Sequence, residues 1–103
     1  MNLKGALPTL ILHVLESGPK HGYHIAQDIK AKSEEVLAYK EGTLYPTLHG
    51  LENKGLITAD ERVENGRTRR YYRLTEDGHK VLEKEREDWA RMSNAINLVL
   101  GTA

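Results

Sequence analysis

The residues best placed to do chemistry in this 103-residue chain are its arginines. Five of the seven (Arg62, Arg67, Arg69, Arg70 and Arg73) fall within twelve residues, with Glu64 as the one acid among them. A guanidinium presents a planar fork of donors that matches a phosphate, so this cluster points to a polyanion rather than to catalysis. Overall the chain balances fifteen basic groups against fifteen acidic ones, which taken alone argues against nucleic acid. The distribution reverses the argument. Residues 1–60 carry six basic and seven acidic groups, and residues 81–103 three and four. A local patch, not the total, sets the field that a phosphate feels.

Other chemistries are poorly served. Of the five histidines (His13, His21, His24, His49 and His79), only His21 and His24 have a ligand-like spacing. No cysteine or suitably spaced carboxylate completes a set around them, so neither a metal nor a cofactor is expected. The absence of cysteine also removes disulfides and thiol catalysis. There is no phosphate-binding glycine loop, nucleophile elbow or zinc-protease helix motif. The acid pairs Glu34-Glu35 and Glu87-Asp88 lie on stretches that read as exposed, so no enzyme is expected. With 39% apolar and 29% charged residues, the composition is that of a small soluble domain. No apolar run approaches the ~18 residues of a membrane span, and the first residues lack a secretory pattern. These features predict a cytoplasmic protein without a membrane partner.

The elements that must carry the arginines are legible from period and punctuation. Leu56 to Glu64 and Arg67 to Leu74 alternate with a period of two around Asn65-Gly66, the strongest short hairpin signal. A two-residue turn fixes the register, setting Glu64 opposite Arg67, Arg62 opposite Arg69, Glu61 opposite Arg70 and Ala59 opposite Tyr72. One hairpin face then holds Ile57, Ala59, Val63, Tyr72 and Leu74. The other holds Arg62, Arg67, Arg69, Tyr71 and Arg73.

Before the hairpin, the spacing predicts three short helices. The first runs from about Leu7 to Ser17, with Pro8 in its first turn. The second covers about His21 to Lys32, and Ser33 to Gly42 is a connector. The third lies between Thr43 and Lys54, with Leu44, Leu48 and Leu51 inward, Pro46 in its first turn and Gly55 as its stop. After the hairpin, Thr75-Glu76-Asp77 opens a last helix that runs to about Leu100, some 37 Å at the usual rise. Leu82, Trp89, Met92, Ile96 and Val99 form a heptad-like seam along it. Three short helices and a hairpin cannot cover a helix of that length. Its far half must therefore meet something else, most simply a second copy of the chain.

The fold class expected is mainly α with a β-hairpin wing: a winged helix-turn-helix over residues 1–75 and a C-terminal dimerisation helix over 76–103. Gly42-Thr43-Leu44-Tyr45-Pro46-x-Leu48, then Leu51-Glu52-x-x-Gly55-Leu56-Ile57, strongly resembles the recognition helix of PadR-type bacterial transcriptional regulators. His21-Gly22-Tyr23-x-Ile25 and Gly66-Arg67-x-Arg69-Arg70-Tyr71-Tyr72-x-Leu74-Thr75 extend the likeness over nearly the whole chain, and the single last helix matches the short branch of that family. Pro8 departs from the pattern, where helix formers are usual. The resemblance implies a homodimer that binds double-stranded DNA.

Taken singly, Tyr45 stands opposite the inward leucines of its helix. It either reaches a phosphate or base edge, with Lys40 and Thr43 nearby, or packs under the wing. His49, one turn on, touches DNA or is idly exposed. Arg67 and Arg69, beside the hairpin tip, are the expected phosphate contacts; Arg70 faces Glu61, and Tyr23 is expected to be core or scaffold. Leu3, Leu7, Trp89, Met92, Ile96 and Val99 are the expected dimer contacts. Multidrug-sensing members of the family hold flat aromatic ligands between paired tryptophans. By that resemblance Trp89, Met92 and Ile96 are candidates for a planar aromatic effector, although Trp89 also suits plain packing. The expected function is a ligand-responsive repressor that binds a near-palindromic operator as a homodimer. The alternative is a winged-helix module for protein–protein assembly, which has no need of the arginine face.

Overall fold

In the computed structural model, which describes residues 3–102, the apolar stripes become four helices around one small core. α1 (Leu3–Leu15) is followed by the two-residue strand β1 (Lys20–His21), α2 (Gly22–Lys32) and α3 (Glu41–Asn53). The hairpin strands β2 (Ile57–Glu64) and β3 (Arg67–Leu74) lead into α4 (Glu76–Leu100). Ile11 of α1, Ile25 of α2, Leu48 of α3, Ile57 of β2, Tyr72 of β3 and Leu82 of α4 meet in the core. This is a winged helix-turn-helix with a long C-terminal helix, as the element order predicts.

The hairpin has the register its turn demands, from Glu64 opposite Arg67 through Ala59 opposite Tyr72 to Ile57 opposite Leu74. Asn65 (φ 51°) and Gly66 (φ 76°) both take the left-handed conformation of a type I′ turn. Val63 does not join the core, because the wing runs past the helices beneath it and leaves this side chain 74% exposed. The sheet also gains a strand that alternation could not reveal. β1 lies against β3, Lys20 opposite Tyr72 and His21 opposite Tyr71, giving the order β1-β3-β2. Buried Lys20 fastens β1 to its surroundings: Nζ donates to Ser17 Oγ at 2.8 Å and lies 3.7 Å from the Asp28 carboxylate of α2.

Both proline expectations are corrected. α1 begins at Leu3 and ends at Leu15, and α3 begins at Glu41, so Pro8 and Pro46 each stand one turn inside their helices. A proline there forfeits one helical hydrogen bond and crowds the carbonyl four residues back. Burial of Leu7, Ile11, Leu44 and Leu48 around the two prolines offsets that cost. At the other end of α3, Gly55 (φ 73°) supplies the left-handed residue of a Schellman stop. Leu56 N–H donates to Leu51 O and Gly55 N–H to Glu52 O, both at 3.0 Å.

Leu7 is corrected as a dimer contact. It is fully buried in the chain's own core and has no surface to offer a partner, while the side chain of Leu3 lies outside the described residues. α4 divides into two halves. Its first turns belong to the body: Leu82 is fully buried, and Arg86 binds Glu16 and the His13 ring of α1. Trp89 is half-buried at the edge of the body, and every residue from Ala90 to Thr102 is exposed. The chain is accordingly elongated, 54 Å in its longest dimension against 28 and 22 Å in the others.

Candidate nucleic-acid interface

Three elements converge where the wing leaves the body. α3 presents Tyr45 on the flank of its buried leucines, β3 presents Arg67 and Arg69, and the first turn of α2 presents Tyr23. One cleft between them is lined by Tyr23, Glu41, Arg67, Thr68 and Arg69. An adjoining cleft of about 450 Å³ continues between α2 and α3, and Tyr23, Gln27, Lys30, Tyr39, Lys40 and Tyr45 are among its walls. Cations and tyrosines therefore follow one another along a connected groove. That is the chemistry of a surface for a phosphodiester chain: guanidinium and ammonium groups for charge, phenols for hydrogen bonds.

Local chemistry sets each side chain. Tyr45 is held by a glycine. A Cβ built on Gly22 would stand 2.7 Å from its hydroxyl and 2.9 Å from its ring, so glycine is what lets the Tyr45 side chain lie against the start of α2. The ring thus leans on the start of α2 and remains 37% exposed, a position at the edge of the groove and not in the core.

His21 ends β1 and caps α2, its Nδ1 accepting the His24 N–H at 3.2 Å. Its Nε2 faces Arg69 Nη1 at 2.8 Å, which ties the wing to the helix-turn-helix. Burial pushes the His21 pKa down, and the nearby Arg69 and His24 push it further the same way against a weaker pull from Glu64. On the neighbouring position of β3, the Tyr71 hydroxyl donates to Glu64, and Arg62 stacks on the Tyr71 ring at 4.4 Å. That carboxylate, together with burial, raises the phenol's pKa.

The structure brings Lys40, Tyr45, Arg67 and Arg69 to the two clefts. Thr43 and His49 lie on α3 but outside the walls of either cleft. Arg70 is opposite Glu61 in register, yet its guanidinium pairs with Glu52 of α3, which fastens the wing's base to that helix. Tyr23 is corrected most. It is 62% exposed, accepts a hydrogen bond from Gln27 Nε2 at 3.0 Å, and lines both clefts. Its spacing from Ile25 and Ile29 sets it off the inward face, which is the one signal of this in the sequence. His21 leaves a fainter one, since histidine is not a favoured helix cap.

The candidate effector residues sit elsewhere, on the outer half of α4. There Met92 is 52% and Ile96 40% exposed, beside the half-buried Trp89. Among the described residues no three potential ligands gather as a metal site would require, and no helix is long and apolar enough to cross a membrane.

Known proteins share this sequence pattern and this fold. The model of the transcriptional regulator PadR-like family matches residues 11–84. The transcriptional regulator Rv3488 of Mycobacterium tuberculosis is 39% identical over 93 residues, covering 90% of this chain and 84% of that protein. Among solved structures, a transcriptional regulator from Clostridium thermocellum superposes with a TM-score of 0.85 at 35% identity, over 92% of this chain and 93% of the other. A PadR family transcription regulator from Clostridium difficile gives 0.82 at 33% identity, over 93% and 99%.

Proposed function

The chain belongs to the PadR-like family of transcriptional regulators, a family of regulators and not of enzymes, and from that premise we propose that it is a cytoplasmic, ligand-responsive repressor that binds a near-palindromic operator as a homodimer. The observation that carries the reading is the groove in which Arg67 and Arg69 of the wing, Tyr23 of α2 and Lys40 and Tyr45 of α3 open side by side. In this reading α3 enters the major groove, Tyr45 with Thr43 and His49 reads base edges, and the wing arginines grip the flanking phosphates. The uncovered apolar strip of Met92, Ile96 and Val99, with Trp89 beside it, supports pairing through α4. Two copies so paired present two recognition helices, which suits an operator with two half-sites about one helical turn apart. Paired Trp89 rings give a planar aromatic ligand a stacking surface. Such a ligand alters DNA affinity only if it favours one spacing of the wings over another.

The test is a footprint on the DNA upstream of the protein's own gene, with and without planar aromatic dyes. We expect two protected half-sites, and loss of protection over the dye concentrations that quench Trp89 fluorescence. The variant Ile96→Asp should sediment as a monomer and protect poorly. No protection, or a wild-type monomer at micromolar concentration, contradicts the reading.

A further inference from the structure

His21 sits where two donors compete for one ring. A neutral imidazole carries a hydrogen on one nitrogen and a lone pair on the other, so it accepts a single hydrogen bond in the ring plane. Here both nitrogens face donors: the His24 backbone N–H at Nδ1 and the Arg69 guanidinium at Nε2. One demand is always unmet in the free protein. The rest of the surroundings are specified. α2 contributes Tyr23, stacked at 6.4 Å, and His24, which pairs with Asp28. β3 contributes Arg69 and Tyr71, whose ring lies edge-on at 5.5 Å. From β2, Glu64 accepts from Tyr71 while Arg62 covers that ring. Tyr45 of α3 shares a small cleft with His21, and Glu41 of α3 shares the neighbouring one with Arg69.

We propose that His21 is a positioning residue for DNA binding: in its neutral form it holds Arg69 at the groove, hands it to a DNA phosphate, and takes up a proton as the complex forms. The inference rests on the DNA-binding reading above. A phosphate that draws Arg69 away ends the competition at the ring and removes a nearby positive charge. It also adds a negative one. The two charge changes favour the imidazolium in the complex over the free protein, where burial and Arg69 disfavour it, and they outweigh the His24 N–H cap bond that a protonated Nδ1 no longer accepts. A group that is more readily protonated when bound makes binding tighter as pH falls through its bound-state pKa. One proton gives at most about a tenfold gain in affinity per pH unit.

Two variants separate the ring's two tasks. His21→Asn keeps a good helix cap but is too short to reach Arg69. His21→Gln places an acceptor near the Nε2 position but does not reproduce the cap. Affinity for a fluorescein-labelled duplex of fixed sequence is measured from pH 5.5 to 8 at constant ionic strength, with thermal unfolding followed in parallel. Wild type should bind several-fold more tightly at the acid end. His21→Gln should match wild type near pH 8 with most of the slope gone. His21→Asn should unfold like wild type yet bind more weakly and without the slope. In NMR titrations the His21 ring should take up its proton at higher pH when the duplex is bound. A flat wild-type profile, or a slope that survives in both variants, overturns the proposal while leaving DNA binding intact. A wild-type protein that ignores the duplex overturns the underlying reading as well.

Discussion

Gly22 and Tyr45 are a matched pair, and the match shapes the proposed recognition surface. A methyl at position 22 would stand 2.7 Å from the Tyr45 hydroxyl, but the atom it meets is the end of a side chain and can swing aside. Gly22 is the first residue of α2, where alanine fits the helix at least as well as glycine. Gly22→Ala should therefore leave stability unchanged or slightly raised in thermal unfolding. It should weaken DNA binding by ~1 kcal/mol or more and alter the preference between operator variants, as expected when a base-edge contact shifts. Unaltered binding would remove Tyr45 from the interface. That Tyr45 stands on the flank of the stripe of Leu44, Leu48 and Leu51, about 100° round the helix from Leu44, is legible in the sequence, because helical spacing decides it. What it leans on depends on how α2 crosses α3, which no local pattern encodes. Tyr23 departs from expectation although its spacing from Ile25 and Ile29 sets it off the inward face: an aromatic residue is usually worth burying, yet it is 62% exposed.

Elements differ in how much of themselves the chain makes legible. The hairpin's register is fully legible, since a two-residue turn leaves a single pairing and Asn65-Gly66 marks the turn. The starts of α1 and α3 are not, whereas Thr75 caps α4 where the sequence places it. Proline rules describe what the backbone prefers locally, whereas Pro8 and Pro46 are tolerated a turn further in by the core built around them. β1 is two residues long and shows no alternation; pairing with β3 makes it a strand. The joint between hairpin and α4 is set by Gly78. A Cβ there would lie 2.1 Å from Leu56 O and 2.7 Å from Leu74 Cδ1, and the first of these is backbone that cannot turn away. Gly78→Ala should force α4 off the sheet and cost about 2–3 kcal/mol in urea unfolding, despite alanine's helix preference. A fully stable Gly78→Ala protein would show that α4 does not dock as described.

At the scale of the whole molecule, charge and apolar surface are separated. The cations of the groove gather on the wing, α2 and α3, while the uncovered apolar residues gather on the outer half of α4. Between them, Arg86 joins α4 to His13 of α1 and to Glu16 just beyond it, and holds the Glu16 carboxyl below its usual pKa. The wing is thus the electrostatic half of the molecule, and the double variant Arg67→Ala/Arg69→Ala tests its role most directly. Kd for duplex DNA is measured against salt concentration for wild type and variant. If both arginines sit on phosphates, the variant binds every sequence more weakly, and the slope of log Kd against log salt falls by about one unit for each phosphate no longer neutralised. An unchanged slope would place the wing outside the DNA interface and contradict this mode of binding.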